Sequence, residues 1–299
     1  LAVSLAGAAL MVGGGAMLMA GRAAGRVLRR AGAGDFFGIC SGDPPPRPPT
    51  WRGRLLARAR DRHAVTGGGL LGGFAAPRLP PHRVLATLRG LLPTPTTRLL
   101  DVGSGAGAYL RDLGDLGYRN VLGVDPHLQT DLVHDNGVRV LARRLEEADG
   151  TFDVITFHHS FEHVPDPHAT LRAAADRLTP GGTLLLRVPT VSSEAFAWYG
   201  ADWVQLDAPR HLHLFSRDAV ARLAAAVGLA VDDVEDDSTA FQFWGSEQLR
   251  NDVAVLAPTS FAVAPGRAAF TRAEIAAFER RADVVNRERR GDQACFRLR

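Results

Sequence analysis

From residue 98 onward the chain alternates between short apolar runs and apolar positions at helical spacing. Residues 98–102, 120–124, 138–141, 152–157, 183–188 and 229–234 read as strands. A helix is expected from about Ala106. A second is punctuated by Asp166 as cap and Pro167 in the first turn. Its apolar face is Leu171, Ala174, Ala175 and Leu178, after which Pro180-Gly181-Gly182 turns the chain into the next strand. A third helix begins at Ser216, carries Val220, Leu223, Ala224 and Val227 on one face, and stops at Gly228. Thr271 and Glu274 form a capping-box pattern ahead of Ile275, Phe278, Ala282 and Val285. Residues 294–298 read as a last strand. This alternation predicts an α/β fold with a doubly wound sheet of seven strands.

The front of the chain has a different texture. Residues 1–21 carry no charge, and Arg22, Arg26, Arg29 and Arg30 follow at once. About 20 apolar residues suffice to span a bilayer. Positive charges after the run favour an orientation with the remainder in the cytoplasm. Five glycines in the run weaken it as a helix, so a disordered or buried leader is the alternative. Pro44-Pro45-Pro46-Arg47-Pro48-Pro49 reads as a stiff linker. Trp51 to Arg62 reads as a basic helix with Leu55, Leu56 and Ala59 on one side, and 67–73 as a flexible glycine stretch. The expected organisation is a leader and membrane anchor at 1–30, a linker with basic helix at 31–80, and a catalytic domain at 81–299.

Charge sharpens this division. The net charge is +3 and lysine is absent, but residues 1–98 hold 14 arginines and three acids. The remainder is net acidic, with no arginine-rich groove near the glycine-rich run, which argues against nucleic acid as partner. Two cysteines far apart, Cys40 and Cys295, offer neither a metal pattern nor a disulfide framework, and suit a reducing compartment.

The candidate chemistry begins where the first strand ends. Leu99-Leu100-Asp101-Val102 runs into Gly103-Ser104-Gly105-Ala106-Gly107, a turn whose bare backbone a nucleotide-like ligand can approach. Asp125 closes the second strand about 20 residues later, where its carboxylate can accept two ribose hydroxyls. Gly103, Gly105 and Ala108 also satisfy a dinucleotide fingerprint, so the turn alone leaves a nicotinamide-dependent oxidoreductase open.

The surrounding residues narrow the choice. LLDVGSGAGAYL (99–110), VLGVDP (121–126), FDVITFHHSFEHV (152–164) and LTPGGTLLL (178–186) stand in order. Together they resemble the class I S-adenosylmethionine-dependent methyltransferases, especially the small-molecule group that includes quinone-biosynthesis methyltransferases. The resemblance covers roughly residues 95–190. It implies a Rossmann-like sheet, mostly parallel with an antiparallel last strand, following a basic N-terminal extension. It implies that S-adenosylmethionine is held by Asp101, Gly103, Gly105, Gly107 and Asp125, with adenine near Leu145 and Glu146 and with His158 lining the pocket.

Transfer from a sulfonium needs alignment above all, and a base only where the acceptor loses a proton. Three histidine groups compete for that role: His158 with His159, His163 beside Glu162, and His211 with His213. The resemblance puts the acceptor side near residues 207–213, with Trp198, Tyr199 and Trp203 as candidate walls for a small-molecule acceptor. His211 and His213 share a face if the segment is extended, but no metal is expected. Methylation of an oxygen or carbon on a quinone, lipid or glycan precursor is the leading reading. A non-catalytic cofactor binder is the remaining alternative.

Overall fold

The computed structural model describes residues 50–75 and 83–299. The expected leader at 1–30 and the proline linker lie outside the described residues. Helix α1 (Trp51–Thr66) is capped by the Thr50 hydroxyl, which accepts from the Gly53 N–H, and closed by Gly67. The stretch expected to be a flexible glycine segment instead forms a short helix, α2 (Leu70–Ala75). A Cβ at Gly72 would lie 2.4 Å from the Ala59 carbonyl oxygen, so a bare backbone lets α2 fold back against α1.

Helix α3 (Arg83–Thr87) precedes an alternating series of strands and helices. These are β1 (Leu99–Val102), α4 (Ala108–Leu116), β2 (Val121–Val124), β3 (Leu132–Val133), β4 (Arg139–Leu141) and β5 (Phe152–His158). Next come α5 (Pro167–Ala175), β6 (Leu178–Pro189), α6 (Glu194–Tyr199), α7 (Arg217–Ala226) and β7 (Val231–Asp236). Helices α8 (Phe241–Arg250) and α9 (Arg272–Arg287) lead to β8 (Gln293–Leu298).

The strands form one sheet in the order β3-β4-β2-β1-β5-β6-β8-β7. β1 is parallel to both β2 and β5, with Leu99 opposite Val121 and Val154. All four residues of β1 are buried, which is why it reads as an unbroken apolar run ending in Asp101. The Thr190 N–H reaches the Asp292 carbonyl and the Arg299 guanidinium reaches Thr183, so β8 runs antiparallel to β6. Chain order reverses across β1 and β5, the switch point outside which open α/β sheets bind ligands.

The sheet has eight strands where seven were expected. The extra strand, β3, is antiparallel to β4 and only two residues long, too short to show alternation. A turn at Gly137 makes the hairpin, with the His134 N–H on the Val138 carbonyl. Leu178, expected as the last apolar position of a helix, instead starts β6, because α5 ends at Ala175. Helices α6 and α8 were not anticipated. Seven of the ten residues in α8 are buried, aromatic and polar alike, so it offers no two-faced pattern.

The described chain forms two compact units. One comprises Ala169–Leu186, Arg297–Arg299 and the described part of Cys40–Ser160; Leu99, Leu100, Leu110, Val140 and Ile155 are fully buried in it. The other comprises Phe161–His168 and Arg187–Phe296, with Tyr199, Trp203, Leu214, Phe243 and Val285 in its core.

Candidate active site

In the first unit the chain leaves β1 through the glycine turn and enters α4. Gly105 has φ +54° and nothing within 4 Å of the place a Cβ would take. Gly103 and Gly107 differ. A Cβ at Gly103 would lie 2.4 Å from Ser160 Cβ, and one at Gly107 would lie 2.5 Å from a Val140 methyl. All three were expected to give a ligand bare backbone. At that Cβ position only Gly105 opens onto space, and the other two make room for neighbouring side chains.

Asp125 holds this turn. Its Oδ2 accepts the Gly105 N–H and its Oδ1 accepts the His127 N–H, each at 2.8 Å. Asp101 lies buried at the end of β1. Thr156 donates to Asp101 Oδ1 at 2.7 Å, so the Tyr109 hydroxyl, 2.7 Å from Thr156 Oγ1, is the donor in that pair. Burial pushes the Asp101 carboxyl up to about 7; the Thr156 hydrogen bond and the nearby Tyr109 hydroxyl oppose the rise and the Asp125 charge adds to it. Ser160 Oγ donates to the Val102 carbonyl at 2.5 Å, tying the loop after β5 to the strand that leads into the turn.

His158 ends β5 and packs edge-on against Tyr109, with ring centroids 5.2 Å apart. His159 follows with φ +53°, a left-handed conformation uncommon outside glycine. Leu145 is buried, whereas the Glu146 side chain is exposed and its carbonyl accepts from Arg177 at 2.7 Å. Tyr109, Thr156 and Ser160 were not singled out from sequence; their roles arise from strand pairing that brings residues about 50 positions apart into contact.

The second unit assembles a different group. Glu162 and His163 lie on a tight turn, Phe161–His163, and the Glu162 carbonyl accepts the N–H groups of Leu212 and His213. His163 Nδ1 lies 2.8 Å from the Arg210 carbonyl, and His211 Nδ1 lies 2.7 Å from the Gln205 carbonyl. A carbonyl only accepts, so Nδ1 carries the proton in both rings, and a neutral ring then has its lone pair on Nε2. His211 Nε2 stands 3.9 Å from Glu162 Oε1 and 3.8 Å from Asp207 Oδ2. Burial lowers the His211 pKa, against the opposing pull of Glu162 and Asp207. One ligand atom each from Glu162, His163 and His211 lie within 4.8 Å of one another. Imidazoles held by Nδ1 and beside carboxylates can take up a proton, and the same donor set suits a divalent cation.

The two histidines at 211 and 213 have different surroundings. His211 joins Glu162 and His163, while His213 is buried with its ring 5.9 Å from that of Phe215. The three candidate wall aromatics also differ in their surroundings. Trp203 is wholly buried and its indole N–H donates to the Asp292 carboxylate at 3.0 Å. Tyr199 is buried, with its hydroxyl on Glu247. These two rings are core; Trp198 is exposed.

A family model described as a methyltransferase domain matches residues 54–234. The chain belongs to that family. It is a class I methyltransferase, an enzyme that takes its methyl group from S-adenosylmethionine, and the nicotinamide reading falls away. A ubiquinone biosynthesis O-methyltransferase from Xanthomonas campestris pv. campestris (strain B100) is 33% identical over 131 residues, 40% of this chain and 55% of that protein. Its counterpart from Xanthomonas oryzae pv. oryzae (strain PXO99A) is 33% identical over 155 residues, 47% of this chain and 64% of that protein. The chain thus spans less than two thirds of these curated relatives. Among solved structures, an S-adenosylmethionine-dependent methyltransferase from Mesorhizobium loti matches at TM-score 0.45 and 18% identity, over 70% of this chain and 94% of that one. The cyclopropane synthase MmaA2 from Mycobacterium tuberculosis matches at TM-score 0.44 and 22% identity, over 70% and 80%.

Proposed function

We propose that this methyltransferase acts on an oxygen or carbon of a small-molecule acceptor of the quinone, lipid or glycan-precursor kind. The quinone class is supported by the curated relatives, which are ubiquinone biosynthesis O-methyltransferases. The observation that carries the cofactor assignment is Asp125, whose carboxylate is held at the tip of β2 by two main-chain N–H groups beside the open Gly105. A carboxylate has about four lone-pair sites, so Asp125 can bind ribose hydroxyls with the lone pairs that remain.

In this reading Asp125 takes the ribose, and Gly103, Gly105 and Gly107 shape the backbone that meets the amino-acid end. Asp101 sits behind the turn and fixes it through Thr156 and Tyr109. Leu145 and Glu146 border the adenine, and His158 lines the same pocket. The cofactor supplies a methyl on a cationic sulfur that departs neutral, so no acid need protonate a leaving group. Where the acceptor is a hydroxyl, a base is required, and the neutral His211 Nε2 is suited to it. Glu162 and Asp207 then stabilise the imidazolium that forms, and His163 stands as the second imidazole of the group.

The membrane belongs to this proposal as well. Among the described residues no helix is long and apolar enough to cross a bilayer. The uncharged run at 1–21 with its trailing arginines supports a leader that anchors the catalytic domain on the cytoplasmic face.

Calorimetry with S-adenosylhomocysteine tests the cofactor site. Wild type is expected to bind, and Asp125→Ala to lose about 1–3 kcal/mol of that binding through missing charge-assisted hydrogen bonds. Equal affinity in the two proteins would refute the ribose assignment.

A further inference from the structure

Nine large apolar side chains are exposed among the described residues, and five fall within one helical pair: Trp51, Leu55, Leu70, Leu71 and Phe74. The pairing explains their position. Residues 51, 55, 59 and 63 follow one line along α1. Gly72 of α2 covers that line at Ala59 and His63, leaving it open at Trp51 and Leu55. Leu70 and Phe74 are one helical turn apart and lie opposite Gly72, so they face away from α1. Leu70 is 98% exposed.

The charge on this hairpin has one sign. Residues 50–75 contain five arginines and one acid, Asp61, and that acid is buried against Arg60 at 2.5 Å. Arg52, Arg54 and Arg58 are exposed near the apolar line, and the Arg52 guanidinium lies over the Trp51 ring at 5.3 Å. Arg58 donates to the Asp115 carbonyl and Arg62 to the Leu116 carbonyl, so the hairpin is held at the end of α4 rather than swinging freely.

We propose that the α1–α2 hairpin is a docking surface for an anionic lipid bilayer, with Trp51, Leu55, Leu70, Leu71 and Phe74 entering the interface and Arg52 and Arg54 meeting lipid phosphates. Exposed apolar side chains flanked by arginine, with an indole at the margin, match the chemistry of that boundary. Two other candidate occupants carry the wrong charge. A second copy packed across a twofold axis would set these arginines against themselves. The segment 1–30 of the same chain brings four more arginines and no acid. The proposal shares the membrane with the function proposed above but assigns it to described residues, and its test separates the two.

The test is flotation of the full chain with vesicles of phosphatidylcholine alone or mixed with phosphatidylglycerol. Wild type is expected to bind the anionic vesicles preferentially, and added salt to weaken binding. Arg52→Gln with Arg54→Gln should lower partitioning about fivefold per residue, and Leu70→Ser with Phe74→Ser at least about tenfold. S-adenosylhomocysteine binding should be unchanged in both variants, which confirms that they fold. Brominated lipid should quench tryptophan emission in wild type, and that quenching should be lost in Trp51→Phe. Variants that float like wild type, or quenching that survives Trp51→Phe, would overturn the hairpin and leave an anchor at 1–30 standing. Failure of wild type to bind either vesicle would end both ideas. A dimer dissolved by Leu70→Ser with Phe74→Ser would show a second copy to be the occupant and refute the lipid assignment.

Discussion

The two polar centres use the main chain in opposite senses. At the glycine turn, main-chain N–H groups point at a carboxylate, Asp125. In the histidine cluster, main-chain carbonyls point at imidazole N–H groups, those of His163 and His211. Donors orient an acceptor in the first centre, which suits grasping a polyhydroxyl ligand. Acceptors orient donors in the second and leave lone pairs on the far side of each ring, which suits taking a proton. The lesson is that backbone polarity, set by turn conformation, selects the task before any catalytic side chain is considered.

The largest expected effect separates the glycines within the first centre. Gly103→Ala should cost about 3–4 kcal/mol in denaturant unfolding, because positive φ and overlap with Ser160 act together. Gly105→Ala should cost only about 1 kcal/mol, from backbone strain alone, while weakening cofactor binding. Equal costs at the two positions would break the distinction between packing glycine and ligand glycine.

The next concerns pH, where Asp101 and His211 should act with opposite sign. The Asp101 carboxyl is held at about 7 in the fold, above its ordinary value of 3.8. The native state therefore keeps a proton that the unfolded chain loses, and this group's contribution weakens as pH rises from about 4 to 7. Asp101→Asn should gain about 2 kcal/mol relative to wild type near pH 8 and lose that advantage near pH 4. Part of the slope should remain, since burial also holds Asp292 at about 7. His211 is depressed, so its contribution is present above its unfolded value of about 6.5 and is lost as pH falls below it.

The smallest effect sharpens the second centre. Glu162→Gln removes a charge that favours protonated His211, so that ring should titrate at still lower pH by nitrogen-detected NMR, with a stability cost of about 1 kcal/mol. A ring that titrates unchanged would mean that Glu162 does not act on it.

The two centres were also unequally legible in sequence. The first occupies a run from Asp101 to His127 in which glycine and carboxylate positions stand at fixed local spacing, so strand, turn, helix and Asp125 could be read directly. Thr156 and Ser160 escaped notice because they reach this run only through the pairing of β1 with β5. In the second, His163 meets its carbonyl partner 47 residues away, a distance no local pattern reports. Proximity in sequence is no guide here: His211 and His213 stand two apart, yet it is the His211 ring that joins the Glu162 and His163 side chains. Trp203 looked like a pocket wall because nothing local discloses that Asp292 receives its indole.

The clamped carboxylate at the head of β2 has a consequence for what the crevice refuses. Both its oxygens are already steered by the peptide chain, so a newcomer finds an anion that can neither turn aside nor offer a hydrogen. In the proposed ribose site a sugar bearing a phosphate in place of a free hydroxyl would meet like charge, and a deoxygenated sugar would have nothing to give. If Asp125 takes the ribose as proposed, discrimination between nucleosides is written into two amide groups, ahead of any contact with the base.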